Sequence, residues 1–143
     1  MRIADVLQVK GDQVVTVRPE TTVRDLVTLL VEHNIGAVVV SSDGTSVDGI
    51  ASERDVVRRL VDGAAALDVP VSEIMTTEVR TCAPDEAVTS LMLLMTKYRI
   101  RHVPVVVDDR LSGIISIGDV VKSRIGELEF ERDQLNNYVS GTQ

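Results

Sequence analysis

Residues 49–60, GIASERDVVRRL, and residues 113–124, GIISIGDVVKSR, are two versions of one segment. Each runs from Gly-Ile through a small residue to Ser-x-x-Asp and into helical spacing, with Val56, Val57 and Leu60 in one version and Val120, Val121 and Ile125 in the other. The likeness extends upstream. Residues 19–40, PETTVRDLVTLLVEHNIGAVVV, align without a gap on residues 84–105, PDEAVTSLMLLMTKYRIRHVPV, at an offset of 65, against 64 for the Gly-Ile segments. Of these 34 pairs 13 are identical, among them Pro19/Pro84, Ile35/Ile100, Gly49/Gly113, Ser52/Ser116 and Asp55/Asp119. A fainter match sets Ala4-Asp5-Val6-Leu7 against Ser72-Glu73-Ile74-Met75, so each copy starts with a turn of helix. The chain is a tandem repeat of a unit of about 60 residues.

Each copy predicts the order β-α-β-β-α. The first strands fall at residues 14–17 and 79–82. Val23, Leu26, Val27 and Leu30 then recur at helical spacing behind Thr22, which Asp25 completes as a cap; Val88, Leu91, Met92 and Met95 do so behind Asp85. The β-branched runs 37–40 and 103–107, and 49–51 and 113–117, pair across the turns SSDGTSVD and DDRLS, and a second helix starts near Ser52 or Ser116. The expected division is 1–65 for copy one, 66–125 for copy two and 126–143 for a C-terminal helical extension. In that extension Leu128, Leu135, Tyr138 and Val139 form a stripe that either caps the chain's own core or pairs with a second copy. A unit this small is marginal alone, so the two copies must share buried surface.

Composition bounds the function. The 143 residues are 44% hydrophobic and 26% charged, with a net charge of -7, a mean hydropathy of +0.14 and a pI near 4.8. An acidic chain whose only aromatics are Tyr98, Phe130 and Tyr138 has neither the charge nor the stacking platform for nucleic acid, and no run is long enough to cross a membrane. Its single Cys82 excludes an internal disulfide, and no zinc-ligand cluster is present, so a reducing, cytoplasmic setting is expected. There is no G-x-x-x-x-G-K-S/T, G-x-G-x-x-G or G-x-S-x-G, and the chain reads as a binder, not an enzyme.

The Ser-x-x-Asp pairs carry the chemistry. Taken singly each is a capping box, in which the hydroxyl and the carboxylate satisfy backbone N–H groups. Taken twice at repeated strand–helix junctions, they also suit a nucleotide, with the carboxylate accepting from ribose hydroxyls and the helix start facing phosphate. Both readings stay open on the residues alone. His33 reads as a surface residue at a helix end, Met92 and Met95 as core filler, Cys82 as a small buried side chain, and Arg54, Arg58 and Arg59 as a solvated face of which Arg54 touches the motif.

The paired repeat ending in Gly-h-x-Ser-x-x-Asp (h, hydrophobic), with the hydrophobic–proline strand His102-Val103-Pro104-Val105, resembles the tandem cystathionine-β-synthase (CBS) domain pair, or Bateman module. The resemblance covers residues 1–125 and is closest to stand-alone bacterial CBS-pair proteins; its strongest motifs are SERDVV at 52–57 and SIGDVV at 116–121. It implies an α/β fold of two β-α-β-β-α repeats with pseudo-twofold symmetry, a homodimer, and adenosyl ligands between the repeats: AMP first, then ADP, ATP, NAD(H) or S-adenosylmethionine. Such a ligand is regulatory, no cofactor or metal is required, and an unidentified protein partner reads its presence.

Carried over by position, one cleft would use Ser116, Gly118 and Asp119, with adenine on Ile35, Gly36, Ala37 and Ile114 and with His102 and Lys10 facing phosphate. The other would use Ser52 and Asp55, with adenine on Ile50, Ile100, Arg101 and His102 and with Arg54 or Arg80 near phosphate. Ala37 stands where the second copy has His102, Gly36 where it has Arg101, and Val39 where it has Pro104, so the clefts are unequal. The resemblance favours the Asp119 cleft as the tighter one. The competing expectation is a ligand-free scaffold whose motifs are only caps; a nucleotide hydrolase is the remotest.

Overall fold

A computed structural model describes residues 1–11 and 13–141. The first copy contributes α1 (Ile3–Lys10), β1 (Thr16–Val17), α2 (Val23–His33), β2 (Ala37–Val40), β3 (Gly49–Ser52) and α3 (Glu53–Arg59). Three 3₁₀ turns, Leu60–Asp62, Ala64–Asp68 and Val71–Glu73, lead to α4 (Val88–Tyr98), β4 (His102–Val107), β5 (Arg110–Ser116) and α5 (Ile117–Gly141). The mixed α/β architecture is the one the repeat implies.

In the first sheet β1 runs parallel to β2, which pairs antiparallel with β3 from Ala37↔Ser52 to Val40↔Gly49. The second sheet is the β4–β5 hairpin, with His102 opposite Ser116 and an irregularity between Val105 and Val106. The strand expected at 79–82 is not formed as such. It shrinks to a parallel bridge of Cys82 with Val105, made by Cys82 N–H to the Pro104 carbonyl at 3.0 Å and Val106 N–H to the Cys82 carbonyl at 2.9 Å. The first copy's strand is likewise only Thr16–Val17. Val79 and Arg80 line a cavity.

Capping follows the sequence in one copy and departs in the other. The Thr22 hydroxyl accepts from Asp25 N–H at 3.2 Å. At α4 the cap position is Ala87, not Asp85, with no side-chain cap; Val88 N–H instead donates to the Met1 carbonyl at 3.1 Å. That bond belongs to an exchange between the copies. Ile3 N–H and Ala4 N–H donate to the Glu86 and Pro84 carbonyls, both at 2.9 Å, while Val71 N–H and Ser72 N–H donate to the Thr21 and Pro19 carbonyls at 2.7 and 3.0 Å. The leading segment of each copy is thus laced onto the other.

The core shows the same exchange. Ile3 and Val6 are buried with Leu91, Met95, Val103, Val105, Ile115 and Val120, whereas Val71 is buried with Leu26, Val38, Val40, Ala51 and Val56. Met95 and Cys82 are core residues, and burial pushes the Cys82 thiol up to about 12, which leaves it unreactive. His33 is exposed in the last turn of α2. α5 is one helix of 25 residues, about 37 Å long, and its only buried residue is Val120. Leu128, Leu135 and Tyr138 are exposed, so the extension does not cap the chain's own core; Thr142 and Gln143 lie outside the described residues.

Candidate functional site

Both Ser-x-x-Asp motifs form capping boxes. At α3, Ser52 N–H and Ser52 Oγ–H donate to Asp55 Oδ2 at 2.8 and 3.0 Å, and Asp55 N–H returns to Ser52 Oγ at 3.3 Å. At α5, Ser116 N–H donates to Asp119 Oδ2 at 2.8 Å and Asp119 N–H to Ser116 Oγ at 3.1 Å. Glu53 N–H donates to the Gly36 carbonyl at 3.0 Å and Ile117 N–H to the Arg101 carbonyl at 2.8 Å, so each helix start is pinned to the residue before its neighbouring strand. Within the described residues Oδ1 of each aspartate accepts no hydrogen bond, which leaves one carboxylate oxygen with unused acceptor capacity.

The surroundings of the two motifs differ. A cavity of about 800 Å3 opens over the first motif and brings together Ser52, Arg54, Asp55, Ile50, Ile100, Arg101, His102 and Arg80, every residue expected for that cleft. Gly36 and Ala37, expected for the opposite cleft, face this cavity as well. Glu53, Thr76, Glu78, Tyr98 and Arg99 complete its polar lining and were not singled out from sequence, and Arg58, expected on a solvated face, lines it too. The Arg80 Cζ lies over the Tyr98 ring at 3.6 Å from the centroid, a cation–π contact between residues 18 apart that no local motif announces. Five arginines against three carboxylates make this wall electropositive in a chain of net charge -7.

His102 is half-buried on the same wall. Loss of solvent lowers its pKa, the positive charges of Lys10 and Arg101 add to that, and Glu53 and Asp119 oppose it. The ring therefore favours its neutral form, able to donate through one nitrogen and accept through the other.

At the second motif a cation already sits on the carboxylate. Lys10 reaches from the end of α1 to Asp119 Oδ2 and to the Ile114 carbonyl, both at 2.6 Å. Burial pushes the Asp119 carboxyl up, but the Lys10 hydrogen bond and charge and the Ser116 N–H and hydroxyl together hold it below its usual value. A hollow of about 670 Å3 does touch Lys10 and Asp119, but its other walls are Met1, Val6, Val9, Lys122, Ser123, Gly126, Glu127 and Phe130, between α1 and α5. Ile35, Ile114, Ser116 and Gly118 line neither cavity; Ile35 packs against the first core. No cluster that could hold a metal ion occurs among the described residues, and no helix there is long and apolar enough to cross a membrane.

A sequence model of the CBS domain matches twice, over residues 5–62 and 71–126. This chain belongs to the CBS domain family. The mitochondrial CBS domain-containing protein CBSX3 of Arabidopsis thaliana is 38% identical over 97% of this chain and 72% of its own length. A solved CBS-domain containing protein from Agrobacterium tumefaciens is 47% identical, with a TM-score of 0.84 over 87% of this chain and 99% of the other. The CBS domain pair of protein MJ0100, solved in complex with methylthioadenosine and S-adenosyl-L-methionine, is 27% identical, with a TM-score of 0.79 over 89% of this chain and 98% of the other. The tandem CBS pair with a C-terminal helix is thereby established as the fold of this chain.

Proposed function

We propose that this CBS pair is a regulatory module that binds an adenine nucleotide, AMP before others, in the Asp55 cavity, and that a partner protein reads its occupancy. The observation that carries the reading is the convergence in one cavity of about 800 Å3 of Asp55, the apolar Ile50 and Ile100, and five arginines. The volume lies within the range of about 300–1,000 Å3 typical of small-molecule sites. Asp55 Oδ1 takes the ribose hydroxyls while Oδ2 keeps the cap, Ile50 and Ile100 flank the base, and Arg54, Arg80 and Arg101 meet phosphate. Although the resemblance alone favours the Asp119 cleft, the geometry supports the Asp55 cleft.

The relative crystallised with adenosyl compounds supports the ligand class. The charge of this cavity supports a phosphate-bearing member of it: two positive charges in excess suit a phosphate dianion and oppose a sulfonium. Ligand regulates by binding two arrangements of the module unequally, and its effect is bounded by that difference. The reading is of binding and not turnover. Calorimetric titration with AMP, ADP, ATP, NAD(H) and S-adenosylmethionine tests it, with AMP expected tightest and S-adenosylmethionine weakest; no adenosyl ligand below about millimolar overturns it.

A second copy of the chain is the partner that the exposed helices suit. Val57 on α3 and its repeat equivalent Val121 on α5 are 64% and 49% exposed, with Leu60, Val61 and Ile125 beside them. Pseudo-equivalent exposed apolar residues suit the self-complementary surface of a twofold dimer. The scaffold reading retains one specific support, the intact capping boxes. Under it Asp55→Ala would cost about 1 kcal/mol of stability and change no ligand response.

A further inference from the structure

Leu7 rests on Gly113 and Met75 rests on Gly49, so the segments after them are equivalent, and counting on from each pair places Lys10 and Glu78 at matching positions. Their charges are opposite. In one half of the molecule the Lys10 ammonium bonds both Asp119 Oδ2 and the Ile114 carbonyl at 2.6 Å. In the other half the Ile50 carbonyl, equivalent to that of Ile114, accepts instead from Thr76 N–H at 2.9 Å. Glu78 lines the cavity over Asp55, to which it can form no ion pair.

Lys10 is held in place by more than its own side chain. It ends α1, whose Ile3 and Val6 are buried in the second core and whose Leu7 packs on β5. The side chains of Lys10 and Asp119 are only 29% and 23% exposed, so the pair is sheltered and its charge-assisted bonds are stronger than those of an open surface pair.

We propose that Lys10 is a built-in counterion that fills the Asp119 cleft, so that the pair takes one nucleotide per chain, at the Asp55 cleft alone. The proposal rests on the nucleotide reading above. A ribose at Asp119 could reach Oδ1 only beside an ammonium already bound to Oδ2 and to the Ile114 carbonyl, against which the base would lie, whereas Asp55 has no such ion pair among the described residues. Occupancy, and with it whatever the partner reads, is then set by one residue outside either Ser-x-x-Asp motif.

Calorimetry with AMP on the full chain tests this, using wild type, Lys10→Gln and Lys10→Glu, the last reproducing the charge of Glu78. Wild type is expected to bind one AMP per chain, and each Lys10 variant two, the added one being lost on combining the variant with Asp119→Ala and the original one with Asp55→Ala. Two AMP per chain in wild type, or one in both folded Lys10 variants, overturns the proposal while leaving the nucleotide reading intact. No AMP bound by any of the proteins overturns the reading itself and this proposal with it. Carboxyl-carbon NMR gives an independent check, since Asp119 should titrate at higher pH in Lys10→Gln; an unchanged titration overturns the counterion role.

Discussion

Leu7 sits against Gly113 so closely that a Cβ at that glycine would lie 2.8 Å from the Leu7 Cδ2. The first copy's leading helix is thereby seated on the second copy's sheet. Gly49 makes the reciprocal contact, where a Cβ would meet the Met75 Sδ at 2.6 Å and the Thr76 carbonyl oxygen at 2.9 Å. A leucine methyl can rotate away, while a carbonyl fixed in the Ile50–Thr76 bridge cannot. Gly113→Ala is expected to cost about 1–3 kcal/mol in urea unfolding, and Gly49→Ala more. Adding Leu7→Ala should recover part of the Gly113→Ala loss, measured as a coupling in a double-mutant cycle.

Much of this was legible because it is local. The repeat and the helices behind Thr22 and Ser52 follow from spacing, since apolar period and capping residues act within a few positions, while the residues around Asp55 were expected from the resemblance to the CBS pair. What was not legible depends on residues far apart. Asp85 fails as a cap because Met1, distant in sequence, supplies the acceptor for Val88 N–H. The strand at 79–82 has the right residue types, yet only Cys82 bridges, while Val79 and Arg80 lie on the cavity wall, where Arg80 meets Tyr98. Lys10 was expected to face phosphate, and only the packing of α1 shows that it reaches Asp119 first. The spacing of α5 gave its stripe but not what the stripe covers.

The low pKa of His102 predicts a pH slope. As pH falls through the ordinary imidazole value of 6.5, the unfolded chain takes up its proton before the folded chain does, so stability falls with pH until the native ring is also charged. Above that value both forms are neutral and His102 adds no slope. Of the groups facing it, Lys10 and Arg101 deepen the effect and Glu53 and Asp119 reduce it. Urea unfolding between about pH 7 and about pH 5 should show the decline in wild type and a flatter profile in His102→Asn. Equal slopes would mean that another group titrates.

Asp119 acts at lower pH and with the opposite ionisation. Its carboxyl is held below the ordinary 3.8, so its contribution is present above that value and lost as pH falls through the folded pKa. Removing Lys10 removes a principal cause of the shift. Acid unfolding of Lys10→Gln should therefore begin at higher pH than that of wild type, as read by circular dichroism.

The exposed apolar residues of α3 and α5 predict the oligomeric state. A charge placed among Val57, Val121 and Ile125 is buried without a partner in a dimer but remains hydrated in a monomer. Sedimentation should give a dimer for wild type and a monomer for Val121→Glu, with the fold retained. A monomeric wild type would remove the dimer from the account.

The most direct test of the central claim is the AMP affinity of Asp55→Asn against wild type. The asparagine carbonyl can still accept from Ser52 N–H and keep the cap, while its amide replaces a carboxylate oxygen with a donor that opposes a ribose hydroxyl acting as donor. The account predicts near-native thermal stability with at least about a tenfold loss of AMP affinity, the loss of a charge-assisted hydrogen bond. Unchanged affinity in the folded variant would contradict it, leaving Ser52 and Asp55 as a helix cap alone.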